Sequence, residues 1–328
     1  MNEEQPGIRT ILVAVAMMRT ADPVLGAAVE LARDLGATLH VGHVFQLPGH
    51  TIDVQGYLGP DLRQLYAERV RNELEEQVAE HDPAGSVFLH AMHGSPGETM
   101  ACLARTLGAD LVVVGATRQW RPLRGLLGTT AERVIRAAPV PVLVLRAPVR
   151  RPLERVLMTT DLAGTSGFVH ERGADIVEAL HANVDRPEVR CLLAIWYGNG
   201  QRDRAGTSQL AAEDLDRFLD GRPARRFPVL ARVRGGNPSE VITCEAREWD
   251  ADLLVMGTQS RRGVERLLRG SVAGDLLRDA PCNVLVVPAR QAALDRTREN
   301  RGSPEVEGKI EPSAGSRPGR IQADRPWV

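Results

Sequence analysis

Short apolar runs alternate with longer amphipathic stretches along most of this chain. Ile8–Ala16 is a short, mainly apolar run that predicts a buried strand. Asp22 and Pro23 then place a cap and a proline at the start of a helix that ends near Leu35, with Gly36 after it. Thr38–Val44 predicts a strand. Residues 60–80 carry Leu62, Leu65, Tyr66, Val70, Leu74 and Val78 at helical spacing. Val87–Ala91 predicts a strand and Pro96–Leu107 a helix that Gly108 ends. Leu111–Gly115 and Val142–Leu145 are Val/Leu runs of the kind found in parallel sheets covered on both faces, and a helix over Thr129–Ala137 separates them.

The same order then repeats. Strands are predicted at Arg155–Thr160, Arg190–Ile195, Val229–Arg234, Leu253–Gly257 and Val284–Val287, and helices at Ser166–Ala182, Ser208–Leu219, Pro238–Trp249 and Ser271–Asp279. Gly94-Ser95-Pro96-Gly97-Glu98 corresponds to Gly236-Asn237-Pro238-Ser239-Glu240, and Ala109-Asp110-Leu111 to Ala251-Asp252-Leu253. Gly115 corresponds to Gly257, Gly128-Thr129 to Gly270-Ser271, and Ala138-Pro139 with Val142-Leu143-Val144 to Ala280-Pro281 with Val284-Leu285-Val286. Each pair lies 142 positions apart, so no gap is needed. The chain therefore reads as an α/β protein with two tandem five-stranded parallel-sheet sandwiches, helices on both faces and right-handed crossovers. The expected boundaries are residues 8–146 for the first domain, 147–154 for a linker, 155–288 for the second domain and 289–328 for a tail. The tail has mixed charges, several Gly, Pro and Ser and no apolar period, which predicts disorder.

Composition narrows the function classes. The 328 residues are 43% hydrophobic and 25% charged, with a net charge of -1, so no overall charge draws the chain to nucleic acid. Aromatic residues are only 4%, which argues against stacking platforms for single strands. Lys309 is the only lysine. No signal core follows the polar N-terminus and no apolar run has membrane-spanning length, so a cytoplasmic location without membrane insertion is expected. Cys102, Cys191, Cys244 and Cys282 are widely spaced and read as free, buried thiols.

The link between the fourth strand and last helix of the second domain carries the most chemistry. It reads Gly257-Thr258-Gln259-Ser260, nine residues, then Gly270-Ser271. Gly257 ends a buried strand, where open α/β sheets bind ligands. Gly270 permits close backbone approach, and Ser271 precedes a helix whose free N–H groups favour phosphate. Arg261, Arg262, Arg266 and Arg269 lie between them as candidate phosphate contacts. The same features also serve as ordinary strand and helix punctuation.

On these residues, 8–288 resembles a tandem universal stress protein. That family combines a Rossmann-like α/β fold with a first strand ending in Asp, a Gly-x-Pro turn, a G-x2-G-x9-G-[S/T] loop and a final Ala-Pro-x-x-Val-Leu-Val strand. In members that bind ATP, the Asp contacts the base side, and the loop with its Ser/Thr holds ribose and phosphates. The resemblance implies an ATP or related adenine nucleotide site, with Mg as an accompanying ion, at Asp161, Met256, Gly257, Ser260, Gly270, Ser271 and Val272. Ser260 stands where the second loop glycine is expected. The first domain keeps Gly115, Gly128 and Thr129, but Ala16 replaces the Asp and Arg118 the second glycine, so it is expected to be degenerate. The resemblance also implies pairing through the last strand, within the chain or in a homodimer, and a role in stress response with no catalytic residues.

Other residues read more plainly. His40, His43, His90 and His93 sit near strand ends, but i and i+3 face opposite sides of a strand, so neither pair converges by itself on a metal. Asp110 and Asp252 precede the fourth strand of each copy and suit helix-to-strand turns. Ser166 is placed as a helix N-cap. A nucleotide-independent scaffold for a regulatory protein partner, and an ATP-consuming enzyme, remain the alternative readings.

Overall fold

The structure, a computed structural model, describes residues 7–16, 23–46, 60–81, 87–116, 127–149, 153–181, 187–196, 204–223, 225–258 and 272–288. The residues assigned to the tail lie outside these. Along the first half run β1 (Thr10–Ala14), α1 (Pro23–Leu35), β2 (Thr38–Phe45), α2 (Pro60–His81), β3 (Val87–His93), α3 (Pro96–Leu107), β4 (Leu111–Gly115), α4 (Thr129–Ala137) and β5 (Val142–Leu145). The second half repeats this as β6 (Arg155–Thr160), α5 (Ser166–Leu180), β7 (Glu188–Ile195), α6 (Arg204–Asp220), β8 (Val229–Gly235), α7 (Pro238–Glu248), β9 (Leu253–Gly257), α8 (Val272–Asp279) and β10 (Asn283–Val287).

Among the described residues ten strands form one sheet in the order β3-β2-β1-β4-β5-β10-β9-β6-β7-β8. Each half is parallel throughout, and the halves meet where β5 and β10 pair antiparallel. That seam centres on Leu143↔Leu285, with Val142↔Val286 and Val144↔Val284 beside it. The central strands are buried along nearly their whole length, which is why they read as unbroken Val/Leu runs. The edge strands alternate instead: Phe88 on β3 and Leu230 on β8 point outward at equivalent positions.

Helices cover both faces. Residues of α1, α2 and α5 pack with Val13, Leu143, Val255 and Leu285 in one core cluster. Residues of α3, α4, α7 and α8 pack with Leu12, Val144, Leu254 and Val284 in the other. Both clusters run across the seam, so the hydrophobic drive that folds each half also joins them. Leu65, placed on the apolar stripe of the second helix by its spacing, is 59% exposed, whereas Val70, Leu74 and Val78 face the core.

Two repeated devices set strand entry. The Oδ2 atoms of Asp110 and Asp252 accept from the backbone N–H groups of Arg9 and Thr10, and of Glu154 and Arg155, at 2.8–3.0 Å. Each acid thus ties the start of one strand to the turn before its neighbour. Gly94 and Gly236 open the turns before α3 and α7 at φ 148° and 144°. A Cβ there would meet Thr99 Oγ1 at 2.6 Å or Val241 Cγ2 at 2.8 Å, so glycine is required.

The seam also has a polar clasp that is not repeated. Asn283 Oδ1 accepts from the N–H groups of Arg146 and Ala147 at 2.8 and 3.2 Å. The Arg146 guanidinium donates to the carbonyls of Leu277 and Arg278 at 2.7 and 2.9 Å, capping the C-terminal end of α8. At the corresponding positions stand Pro141 and Pro288, which offer neither side chain.

Candidate functional site

The geometry of a ligand crevice follows from where the chain changes face. The helix after β6 lies on one side of the sheet and the helix after β9 on the other. A crevice opens at the carboxyl ends of two such neighbours. Their ladder runs Val156↔Leu253, Leu157↔Leu254 and Met158↔Val255, and no pairing of β6 with Met256 or Gly257 follows it. Thr159 Oγ1 instead donates to the Val255 carbonyl at 3.2 Å.

Asp161 stands at that opening and is exposed. Its Oδ1 accepts from Ala163 N–H at 3.0 Å and from the Ser166 hydroxyl at 2.6 Å. Thr160 Oγ1 accepts from Leu162 N–H at 3.1 Å, and Leu162 adopts φ 54°, uncommon for a residue with a side chain. The turn is thus held by two side chains, and the carboxylate keeps its orientation without a ligand. Oδ2 takes no hydrogen bond from the described residues.

Ser166 therefore does not cap α5, as its sequence position suggested. It is the first helical residue, Thr165 is the cap, and the buried Ser166 hydroxyl is taken by Asp161. A competing acceptor five residues back overrides the local preference of serine for the cap.

Met256 is buried in β9 and Gly257 ends that strand. A Cβ at Gly257 would lie 3.0 Å from Val169 Cγ2, so the first glycine of the loop lets α5 approach the strand end. Val272 begins α8 and packs against the adjoining core. Ser260, Gly270, Ser271 and the four intervening arginines lie outside the described residues, and so does Arg118.

The first half arranges the matching corner differently. Ala16 occupies the place of Asp161 and supplies no carboxylate. His43 Nδ1 bonds the Val15 carbonyl at 2.9 Å. Gly115 ends β4, and Gly128 N–H donates to the Ala116 carbonyl at 2.7 Å, drawing the end of the loop back onto the strand. Gly128 is the cap of α4 and Thr129 its exposed first residue, with no side chain capping the helix.

The histidines do not form a metal cluster, and no group of three or more His, Cys, Asp or Glu suited to a metal occurs among the described residues. Sequence reasoning did miss a cross-strand contact. His40 Nδ1 and His90 Nε2 lie 3.0 Å apart, and the His40 ring stacks on Phe88 with centroids 4.9 Å apart. The signal was the strand register, which sets His90 opposite Gly42 and diagonal to His40 on one face. Burial holds the His40 pKa below its usual value.

All four cysteines are free, but only Cys191 and Cys282 are buried; Cys102 and Cys244 are exposed at equivalent places on α3 and α7. Burial pushes the thiols of Cys191 and Cys282 up to about 12, which removes them as nucleophiles. Among the described residues no helix is long and apolar enough to cross a membrane.

Comparison with known proteins agrees with this architecture. The family model described as "Universal stress protein family" matches residues 7–146 and again residues 154–288. A universal stress protein of Mycobacterium tuberculosis is 26% identical over 214 residues, covering 61% of this chain and 72% of that protein. A putative universal stress protein of Staphylococcus aureus is 40% identical over 68 residues, 20% of this chain and 41% of that one. Among solved structures, a universal stress protein from Archaeoglobus fulgidus superposes with a TM-score of 0.60 at 20% identity, over 86% of this chain and 97% of the other. A putative universal stress protein from Pseudomonas aeruginosa gives 0.59 at 19% identity, over 89% and 98%. The structural likeness shows the shared fold, and the two successive model matches show that this chain belongs to the universal stress protein family, with two copies of its module in one polypeptide.

Proposed function

We propose that the second module, residues 155–288, binds an adenine nucleotide, ATP in the first instance, and that the first module is a degenerate partner without a comparable site. The protein then acts in stress response by sensing or buffering that nucleotide rather than by turning it over. The observation that carries this reading is the Asp161 turn. An exposed carboxylate stands at the switch point with one oxygen anchored and the other without a hydrogen-bond partner among the described residues. An acceptor there suits the amine or hydroxyl donors of an adenine nucleoside.

Under this reading Met256, Gly257 and Val272 line the approach, and Ser260, Gly270 and Ser271 hold ribose and phosphates. Mg, where it accompanies the triphosphate, would be held chiefly through the phosphates. Ala16 in place of the acid supports a structural first module.

The test is to denature the purified protein and identify the released small molecules by mass spectrometry, with ATP titrations alongside. Asp161→Ala is expected to weaken ATP binding about tenfold to a hundredfold, the worth of a hydrogen bond to a charged group. Gly270→Val should abolish binding and Gly128→Val should leave it unchanged. If wild type releases no nucleotide and millimolar ATP gives no thermal shift, the scaffold reading replaces this one.

A further inference from the structure

His170 on α5 is the one histidine among the described residues whose two ring nitrogens are both buried without a hydrogen-bond partner. The residue is only 5% exposed. Its ring meets Phe218 of α6 edge-on, with centroids 5.6 Å apart, and the Arg222 guanidinium lies over the Phe218 ring at 4.5 Å. An imidazole in such a place is stable only while neutral.

The segment that covers it is held by charge. Arg222 bonds Glu171, and a Cβ at Gly167 would strike the Arg222 guanidinium, so this side chain lies directly on the first turns of α5. Arg225 Nη1 bonds Asp175 Oδ1 at 2.6 Å and approaches Glu178 Oε2 at 3.6 Å. Arg225 Nη2 donates to the Glu171 carbonyl at 3.2 Å, and Arg226 N–H donates to Glu178 Oε1 at 3.0 Å. Glu171, Asp175 and Glu178 recur at i, i+4 and i+7, a single stripe along α5. At Arg222, Arg225 and Arg226 the chain after α6 is thus strapped along that stripe, and Arg222 and Arg225 stand close enough to His170 to act on its charge.

We propose that this strap is an acid-released latch, with His170 as its trigger. A proton on His170 places a third cation beside Arg222 and Arg225, in a site with no acceptor for the new N–H. Glu171, Asp175 and Glu178 hold the two guanidiniums by charge, and a like charge on His170 works against that hold. Arg222, Arg225 and Glu171 are the charged groups that act on the ring, and Phe218 is the uncharged face that α6 presents.

Burial, then Arg222 and Arg225, hold the His170 pKa down at about 4 against Glu171, which raises it. The released segment leaves the ring in water with its ordinary value near 6.5. Because the closed form has the lower pKa, it is fully favoured above about pH 6.5, and it loses ground as pH falls until the effect saturates near 4. Between pH 7 and pH 5 that gap raises the released population about twentyfold. The latch acts on the same helix whose first residue anchors Asp161, but it does not depend on nucleotide binding.

Backbone amide exchange of the full-length protein tests it, corrected for the intrinsic pH dependence of exchange. Exchange at Arg222 and Arg226 is expected to rise about twentyfold from pH 7 to pH 5, while the amides of β9 and β10 stay protected. His170→Leu should remove most of that rise. An unchanged exchange rate in wild type overturns the proposal, and so does the same rise in His170→Leu, which would assign the effect to groups other than this ring. Should His170→Leu not fold, an NMR titration of the wild-type ring decides: protonation below pH 5 supports the latch, and protonation at or above pH 6.5 overturns it.

Discussion

Replacing Glu245 with alanine is expected to destabilise the protein by about 3–5 kcal/mol in chemical denaturation. Glu245 is 2% exposed on α7. Its Oε1 takes Arg190 at 2.8 Å and its Oε2 takes Arg234 at 2.7 Å. Arg190 also lies over the Trp249 ring at 4.0 Å, and Arg234 reaches Glu248 at 2.9 Å. Removing the carboxylate leaves the Arg190 guanidinium in a mostly buried place, held only by an aromatic face. The cost comes from that stranded charge more than from the lost pair itself.

The repeat offers a control. Phe88 and Leu230 lie 142 positions apart and pair with His40 and Arg190, so the first module fills the same three positions with His40, Met92 and Leu103, a set without a carboxylate. The triple change Arg190→His, Arg234→Met and Glu245→Leu should therefore recover most of the stability that Glu245→Ala alone loses. A triple variant as unstable as the single one would mean that the ionic triad contributes net stability, and that the apolar solution of the first module does not transfer.

The second large effect lies at the seam. Leu285 is fully buried in β10 and pairs with Leu143 of β5, and each side chain belongs to a core cluster that spans both modules. An aspartate at either position puts an unpaired carboxylate between two helix layers, at an expected cost above about 4 kcal/mol. Domains of this kind have only about 5–15 kcal/mol in all. Leu143→Asp and Leu285→Asp should therefore each weaken the melting of the whole chain, although they sit in different modules. Circular dichroism melts check this. If one module kept a native-like transition while the other was lost, the modules would be independently stable and the shared core would be contact without cooperation.

Legibility in the sequence followed the range of the interactions. The 142-residue offset, the Val/Leu runs of β4, β5, β9 and β10, and the turn acids Asp110 and Asp252 are set by local pattern or by repetition, and the structure places them as the sequence implied. The run at residues 8–16 is longer than β1, which is Thr10–Ala14, because Ile8 and Val15 are buried beyond the ends of the strand. Ser166 was misplaced because its partner, Asp161, outcompetes the helix end. Glu245 and His170 were passed over although their periodicity marks them. Glu245 lies on the buried side of α7 with Ile242 and Ala246, and His170 on that of α5 with Val169, Ala174 and Val177. A polar residue on an apolar stripe is the signal for an internal partner or a forced neutral state. What it meets there was beyond reach, since Arg190 is 55 positions from Glu245.

The clasp of Arg146 and Asn283 shows what joining two copies in one polypeptide makes available. A pair of identical subunits related by a two-fold axis must present every residue of the shared surface twice. An arginine that caps a helix end across the axis would then be matched by a second arginine doing the same. Here one side carries Arg146 and Asn283 and the other Pro288 and Pro141, so the halves have become a donor side and a receiver side. The order in which the copies follow one another is therefore part of the design: exchanging them along the chain would leave the strand pairing intact but return these two pairs to different connections. Released from mirroring each other, the copies are free to diverge wherever they meet.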